Sequence, residues 1–380
     1  MRIYLIISLL ALLFSCSFAV WSATPLITKI SKDDGLPTRY PRSLALSPEG
    51  VLWAAIKAEQ GVNEWMGVAK ITGKKIEMFL NEESELNASK TNDLLLNKEN
   101  RLFVATEKGL RVLGTDGKFS RLGASRNLER LFLSTSGQLW GLGRDDVFKP
   151  FILRKTGESV EFFKLPDEGR RPISLYPLEN GEAIIVAHEG IISFSKNKMK
   201  PLKLKKTPLW KRAVHDPDGP IPSIWIFHAA KSGDSVFLIS HTRKLVESKN
   251  GIFKICAEGH FGGVIAGKAP ETAFVRDYEG ALFFWDGNVL KKLYKNEKKG
   301  NIGAMFLDSK ETLWVEEDLS PEPHRISCFA PPYDNGPIVT FPLGTKDGYL
   351  SPGILTMQED CAGGMWISTN DGIWHLEIKP

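Results

Sequence analysis

The chain has few cysteines, little excess charge and none of the common short catalytic motifs. It contains 4 cysteines, and its 49 basic and 45 acidic residues leave a formal net charge of +4. That balance provides no electrostatic footprint for binding nucleic acid. No Gly-x-Ser-x-Gly, His-Glu-x-x-His or phosphate-binding loop occurs in the sequence. We therefore predict no cofactor and no metal, and we favour a binding role over an enzymatic one.

Three of the cysteines, Cys256, Cys328 and Cys361, lie far apart and show no zinc-ligand spacing. The first interpretation is that they are buried or free thiols. One disulfide is the alternative, and Cys328–Cys361 is then the favoured pair because the sequence modules that contain these two residues are adjacent.

The only apolar run with the length of a membrane span is at the N-terminus. Residues 1–23 resemble an export signal, in which Arg2 precedes an apolar core and Ser17-Phe18-Ala19 forms a cleavage pattern. There are two alternatives, a lipoprotein signal with Cys16 as the lipidated residue and an uncleaved anchor from Ile3 to Trp21. All three place residues 24–380 in the periplasm or outside the cell, and they limit membrane contact to the N-terminus.

The rest of the chain consists of short apolar runs separated by Gly, Asp and Asn. The C-terminal example contains Ile354-Leu355-Thr356-Met357, Met365-Trp366-Ile367-Ser368 and Gly372-Ile373-Trp374-His375-Leu376. Such runs indicate short antiparallel strands joined by tight turns. The pattern occurs in eight modules, and the intervals between Trp53 and Trp366 average about 45 residues, which is the period of a propeller blade.

We therefore predict an all-β fold in which residues 24–380 form a single β-propeller of eight four-stranded blades. The last module lacks a fourth strand, and the unassigned strand Pro25–Ser31 at the other end of the chain would complete it. Pairing the two ends closes the ring and removes a free sheet edge. A seven-bladed ring is the alternative, because the sixth module, with runs between Val264 and Phe284, is the least regular.

Several turns share a recurring pattern. Asp33-Asp34-Gly35-Leu36-Pro37 precedes Ser47-Pro48-Glu49-Gly50-Val51-Leu52-Trp53, and related segments are Ala105-Thr106-Glu107-Lys108-Gly109-Leu110 and Trp366-Ile367-Ser368-Thr369-Asn370-Asp371-Gly372-Ile373-Trp374. These segments resemble the two-component regulator propeller repeat, with its GLP, D-x-x-G-x-L-W and T-x-x-G-L elements. The best-known members of that family are sensor ectodomains that bind glycans or other nutrients outside the cell. The resemblance implies an exported, free-standing propeller with a binding function.

In a four-stranded blade, the links between the second and third strands share one face with the links between blades. These are the longer links of the sequence, and function concentrates in loops on rigid scaffolds. We therefore expect a carbohydrate, another small molecule or a protein to bind there, since arginine forks recognise carboxylates and sulfates while polar groups in pockets orient ligands. The candidate residues are Arg39, Tyr40, Arg42, Trp65, Arg144, Asp145, Arg170, Arg171, Trp210, Arg212, His215, Arg325 and Tyr349. For each of them, an ordinary solvated loop residue is the alternative.

Two further hypotheses concern chemistry. Glu316 and Glu317 precede His324 in what reads as one long link, and together they would provide an acid and a base for a polysaccharide lyase or hydrolase. His228, His241 and His260 fall within one region, but pairing across a sheet explains them more simply than metal binding does. A structural scaffold without a ligand pocket is the remaining alternative.

Overall fold

A computed structural model describes residues 24–37, 41–56, 67–80, 90–166, 171–188, 190–202, 226–240, 242–249, 252–296, 300–319, 324–343 and 353–379. Within these ranges, strands β1 to β32 form eight four-stranded antiparallel sheets. The helices in the same ranges are single 3-10 turns at Lys32–Asp34 and Glu179–Gly181, and neither could cross a membrane. The predicted eight-bladed, all-β propeller is therefore confirmed, and the seven-bladed alternative is wrong.

Each blade follows chain order from its inner strand, at the central channel, to its outer strand. The strands of blades 1 to 4 are β2 (Pro41–Leu46), β3 (Leu52–Ile56), β4 (Gly67–Thr72) and β5 (Lys75–Leu80); β6 (Thr91–Leu96), β7 (Leu102–Thr106), β8 (Gly109–Leu113) and β9 (Phe119–Leu122); β10 (Asn127–Leu133), β11 (Leu139–Arg144), β12 (Pro150–Thr156) and β13 (Ser159–Lys164); and β14 (Pro172–Pro177), β15 (Ala183–Ala187), β16 (Gly190–Ser195) and β17 (Lys198–Pro201). The strands of blades 5 to 8 are β18 (Ile226–Ser232), β19 (Ser235–Ser240), β20 (Leu245–Lys249) and β21 (Ile252–Ala257); β22 (Phe261–Ala266), β23 (Ala273–Asp277), β24 (Ala281–Trp285) and β25 (Leu290–Lys295); β26 (Asn301–Leu307), β27 (Leu313–Asp318), β28 (His324–Phe329) and β29 (Val339–Leu343); and β30 (Ile354–Glu359), β31 (Met365–Thr369) and β32 (Gly372–Lys379), to which β1 (Thr24–Ile30) adds.

The two ends of the chain close the ring as the sequence predicts. Strand β1 pairs antiparallel with β32, from Thr24 opposite Lys379 to Ile30 opposite Ile373. Lys29 strengthens this pairing, because its Nζ lies 2.5 Å from Asp371 Oδ2. The first strand of the chain is thus the outer strand of blade 8, and it covers an edge that would otherwise be open.

The turns between the first and second strands repeat one geometry in blades 1, 2, 3, 7 and 8. In each of them the side chain of the first turn residue accepts a hydrogen bond from the backbone N–H four positions later. Asp308 Oδ1, for example, accepts from Thr312 N at 2.7 Å. The fourth turn residue has a positive φ, +89° at Gly363, which glycine adopts without strain. This turn is the physical basis of the recurring Asp-x-x-Gly pattern.

Eight apolar clusters, one at each junction between neighbouring blades, form the core. The cluster between blades 8 and 1 contains Ile30 and Leu36 from the N-terminal segment together with Ile71 and Ile373. Because both faces of each blade are covered by its neighbours, the strands are short apolar runs with little strict alternation. Gly262 and Gly263 interrupt the apolar run of β22, which is one reason why the sixth module is the least regular in sequence.

The cysteine prediction is resolved in favour of free thiols. Cys256, Cys328 and Cys361 are all free, so the alternative disulfide Cys328–Cys361 is wrong. Cys328 is buried on β28 in the core between blades 7 and 8. Cys361 is exposed in the first turn of blade 8, on the side of blade 1, where its Sγ lies 3.5 Å from Pro48 O.

Candidate functional site

The propeller has two faces with different connections. The link face carries the turns between second and third strands and the links between blades, whereas the turn face carries the other hairpins. Backbone hydrogen bonds join the two kinds of segment on the link face, from Glu107 N to Lys90 O at 3.1 Å and from Tyr278 N to His260 O at 3.2 Å. The expected grouping of these links on one face therefore follows from the antiparallel topology of the blades.

On the turn face, neighbouring blades are tied together through their inner hairpins. Asn100 Nδ2 donates to Glu49 Oε1 at 2.8 Å, Lys98 Nζ donates to Thr135 O at 2.6 Å, and Ser309 N donates to Glu359 Oε2 at 2.7 Å. A shallow groove of about 460 Å³ lies on this face between blades 2 and 3, and charged hairpin residues line it. Several polar groups of this face thus hold neighbouring blades to each other.

The link-face mouth of the channel is different, because every inner strand carries a β-bulge near its start. A bulge interrupts the pairing and redirects a side chain, and bulges are frequent next to functional sites. The bulged residues, in blade order, are Arg42, Asn92, Glu129, Ile173, Phe227, Gly262, Gly303 with Ala304, and Leu355. The bulged positions around this mouth therefore include charged, amide, aromatic and aliphatic residues, while Gly262 of blade 6 has no side chain.

Blades 1 to 3 meet in a polar arc. Arg42 Nη1 donates to Asn92 Oδ1 at 3.2 Å, and Asn92 Nδ2 donates to Asn127 Oδ1 at 3.2 Å and to Leu128 O at 2.8 Å. Arg42 is exposed, while the two amides are half-buried. The arc thus combines fixed amide groups with one guanidinium that solvent reaches.

Beneath the arc, Asp93 joins the same three blades. Its carboxylate accepts from Ser43 Oγ of blade 1 at 2.6 Å, from Leu131 N of blade 3 at 2.9 Å and from Leu94 N at 3.0 Å. Burial raises the pKa of Asp93 above its ordinary value, although these hydrogen bonds oppose the effect. The contacts assign Asp93 a structural role in setting the spacing of the inner strands.

Between blades 5 and 6, basic and aromatic side chains converge in what we call the cation cluster: Phe227, His228, Arg243, Arg276 and Tyr278. Arg243 lies 4.9 Å from the ring centroid of Phe227 and 4.5 Å from that of Tyr278, and it donates a hydrogen bond to the Tyr278 hydroxyl. Arg276 lies 5.9 Å from the Tyr278 centroid. The surrounding protein atoms, which desolvate the imidazole of His228 although part of its surface is exposed, and the positive charges of Arg276 and Arg243 lower its pKa.

The proposed acid–base group of blade 7 is not in a loop. Glu316 and Glu317 lie on β27, and His324 and Arg325 lie on β28, so the prediction of one long link is wrong. His324 Nδ1 lies 3.0 Å from Glu316 Oε1 and its Nε2 lies 2.8 Å from Asp318 Oδ1. Burial opposes protonation of His324, but the two carboxylates outweigh it and raise its pKa above the ordinary value.

Both glutamates of this group are engaged in holding strands. Glu316 Oε2 accepts from Ala304 N at 2.9 Å, and Glu316 Oε1 accepts from Ile354 N of blade 8 at 3.3 Å. The carboxylate of Glu317 is fully buried and lies 2.6 Å from Arg325 Nε. Tyr294 also donates to Glu317, at 2.8 Å. These contacts account for both carboxylates without a substrate.

The remaining predicted site residues divide into three groups. Arg42 and the exposed Arg171 lie on the link face as expected. Arg144 and Asp145 also lie on the link face, but both are engaged within the protein. Arg144 forms an ion pair with Glu129, with 3.1 Å between Nε and Oε1, although the two groups are not aligned as a hydrogen bond. Asp145 Oδ1 accepts hydrogen bonds from backbone N–H groups of its own turn. The residues outside the described ranges are Arg39, Tyr40, Trp65, Arg170, Trp210, Arg212, His215 and Tyr349.

Sequence reasoning missed Phe227, Arg243, Arg276 and Tyr278. The sequence carries little signal for Arg276, because it follows the apolar run 273–275 and stands beside Asp277 at the end of the strand. The histidine hypothesis concerns the same region, yet the described residues contain no group of three or more metal ligands, and His241 lies outside those residues.

No family model and no curated protein sequence matches this chain. Its fold is shared with solved propellers. The C-terminal WD40 domain of Sif2 has a TM-score of 0.56 at 14% identity over 93% of this chain and 99% of that one. A streptogramin B lyase has a TM-score of 0.55 at 11% identity, over 95% of this chain and 100% of that one. YCF48 bound to a D1 peptide has a TM-score of 0.51 at 11% identity, over 94% of this chain and 97% of that one. At these sequence identities the likeness shows the fold alone, and that fold is a β-propeller.

Proposed function

We propose that this chain is an exported binding protein that holds a carbohydrate or another small ligand at the link-face mouth of its propeller. One observation carries the proposal: every inner strand has a bulge near its link-face end, and the bulged residues around this one mouth include a guanidinium (Arg42), an amide (Asn92), a carboxylate (Glu129) and an aromatic ring (Phe227). On the turn face, by contrast, several polar groups are engaged in hydrogen bonds between blades. The resemblance to sensor ectodomains supports the same function.

A glycan array of neutral and acidic oligosaccharides, probed with residues 24–380, tests this function. The affinity of the strongest hit is then measured by isothermal titration calorimetry. Arg42→Ala and Phe227→Ala each remove a bulged side chain at the mouth. We expect both variants to weaken binding, because polar and aromatic groups orient ligands in such pockets. The matched control is Lys98→Ala on the turn face, which should bind normally. An empty array, or equal loss in the control, contradicts the proposal.

A protein partner is the second candidate function, and a different feature favours it. Val147 and Phe148, at the tip of the turn between β11 and β12, are 68% and 77% exposed. Aromatic anchors of this kind dominate the energy of protein interfaces. Phe148→Ser should reduce the capture of a purified partner while leaving thermal stability unchanged. If Phe148→Ser and the unchanged protein capture the partner equally, this tip has no role in binding.

Export itself is part of the proposal and rests on residues 1–23, which lie outside the described residues. Cell fractionation of the full chain should place it in the periplasm, in the medium or on a membrane. Mass spectrometry of the mature N-terminus separates cleavage from lipidation at Cys16, and Cys16→Ala should release a lipidated form from the membrane. Recovery of the intact chain in the cytoplasm would contradict export.

A further inference from the structure

The cation cluster contains two guanidinium groups that share one aromatic ring. Arg243 and Arg276 lie 4.5 Å and 5.9 Å from the centroid of Tyr278. His228, on the inner strand of blade 5, is exposed and close enough to both arginines for their charges to affect its protonation. Like charges held this close together repel each other. The arrangement therefore favours the approach of a negatively charged group.

The backbone of blade 6 makes room for one of these arginines. A Cβ atom on Gly262 would lie 2.9 Å from Arg276 Nη1, and a Cβ atom on Gly263 would lie 2.8 Å from Arg276 Nε. Both contacts are shorter than Cβ atoms normally show. The consecutive glycines of β22 thus allow the Arg276 side chain to lie directly against the inner strand.

Arg276 is also an exception to the propeller repeat. Arg276 lies on the second strand of its blade, opposite Gly263, which directly follows the bulge of the inner strand. At the same position relative to the bulge, six other blades have a small or apolar residue on their second strand. Those residues are Ala55, Ala105, Leu142, Val186, Ile239 and Ser368, and Glu316 of blade 7 is the remaining one. Packing of a blade does not need an arginine here, so its presence calls for another explanation.

Within the described part of the chain, neither arginine of the cluster has a carboxylate within ion-pair distance. Elsewhere in the same part of the molecule, Arg154 and Arg325 pair with glutamates at 2.7 Å and 2.6 Å. The acidic groups that influence Arg276 are engaged: Glu316 with His324 and two backbone amides, and Asp277 with its own turn. Neither guanidinium of the cluster therefore forms a direct ion pair, although Glu316 and Asp277 attract Arg276 from a longer distance.

We propose that the cation cluster binds an anionic group, a carboxylate, sulfate or phosphate, of the ligand held at the link-face mouth. Guanidinium groups form paired, charge-assisted hydrogen bonds with such anions. The rings of Phe227 and Tyr278 flank Arg243 and provide apolar surface beside the anion. This inference rests on the proposed binding function, and it adds the chemical class of the ligand and the blades that contact it.

Isothermal titration of residues 24–380 tests the inference. The probes are sodium sulfate, sodium phosphate and trigalacturonate, each at an ionic strength matched with sodium chloride, and neutral maltotriose. The first two report a free inorganic anion, and the third reports an acidic sugar. Arg243→Gln and Arg276→Met each remove one guanidinium. Arg101→Gln removes the same charge on the turn face, where Arg101 is exposed, and it serves as the matched control.

We expect at least one anionic probe to bind the unchanged protein. Loss of a charge-assisted contact should then weaken its binding roughly tenfold or more in each cluster variant, and less than twofold in Arg101→Gln. Equal weakening in all three variants would indicate a diffuse charge effect and would overturn the proposal, as would a protein that binds none of the anionic probes. If an array ligand loses affinity in Phe227→Ala but not in the arginine variants, the binding function stands and the anion site is refuted. An empty array with no anion binding refutes both.

Discussion

Removing strand β1 should open the propeller, and the cost can be estimated from its contacts. The strand pairs with β32 over seven residues, Thr24–Ile30, and Ile30 is 8% exposed in the closing core. A ladder of that length contributes roughly 5–8 kcal/mol, at about 1 kcal/mol net for each hydrogen bond. Burial of Ile30 adds about 2 kcal/mol. The sum is comparable with the whole stability of a typical domain, about 5–15 kcal/mol.

The comparison is between a chain that begins at Thr24 and one that begins at Lys32. We expect the shorter chain to unfold at a much lower urea concentration, as measured by intrinsic tryptophan fluorescence. A synthetic peptide of residues 24–31, added to the shorter chain, should restore part of the lost stability. Equal urea midpoints for the two chains would refute the role of β1 in closing the ring.

A point substitution gives the same test without truncation. Ile30→Ala should lower the free energy of unfolding by about 2–4 kcal/mol, the usual cost of removing a buried isoleucine side chain. Leu26 lies on the same strand but is 38% exposed, so Leu26→Ala should change stability by less than about 0.5 kcal/mol. A cost that does not differ between the two variants would contradict the packing of Ile30 in the closing core.

Four other predictions concern single residues. The pKa of His324 is raised in the folded protein, so its contribution to stability is complete below the unfolded pKa near 6.5 and is lost as the pH rises through the folded pKa. The urea concentration at the unfolding midpoint should therefore decrease when the pH is raised from about 6 to about 8. The decrease should be smaller in His324→Gln. Asp93→Ala leaves buried donors from three blades unpaired and should cost roughly 2–4 kcal/mol in urea unfolding, whereas a change within about 0.5 kcal/mol would contradict that role. Gly263→Ala should displace the adjacent guanidinium and weaken binding of the anionic probe, while Gly190→Ala, with nothing within 4 Å of its added Cβ, should not. A bound anion should raise the lowered pKa of His228, so binding near pH 6 should be accompanied by proton uptake, which titration calorimetry in two buffers of different ionisation enthalpy detects. Proton uptake that persists in His228→Gln would assign the proton to another group.

The cation cluster also predicts a trade-off between stability and binding. An unpaired, partly buried charge destabilises a fold, and its replacement by an apolar side chain of similar length is often neutral or stabilising. Binding sites commonly keep such a cost because the same group holds the ligand. The ligand-free Arg276→Met protein should therefore be at least as stable as the unchanged protein, although it binds less.

The sequence alone determined the repeat, the hairpin turns and the closure of the ring. These features depend on residues near each other in the chain, such as Asp308 and Thr312 in one turn, or on matching strands such as β1 and β32. Local hydrogen bonding and apolar run length are sufficient to predict them. The position of Arg42 and Arg171 on the link face followed from the same blade topology.

Only the tertiary structure decided which side chains meet. Phe227, Arg243 and Arg276 come from different strands and turns of two blades, and their contact depends on the curvature of the ring and on a bulge that no local pattern announces. The burial of Glu317 was missed for a related reason, because its partner Tyr294 belongs to the neighbouring blade. A charged residue in a strand looks the same in sequence whether it supports a blade or faces a ligand, and the packing of the neighbouring blade separates the two.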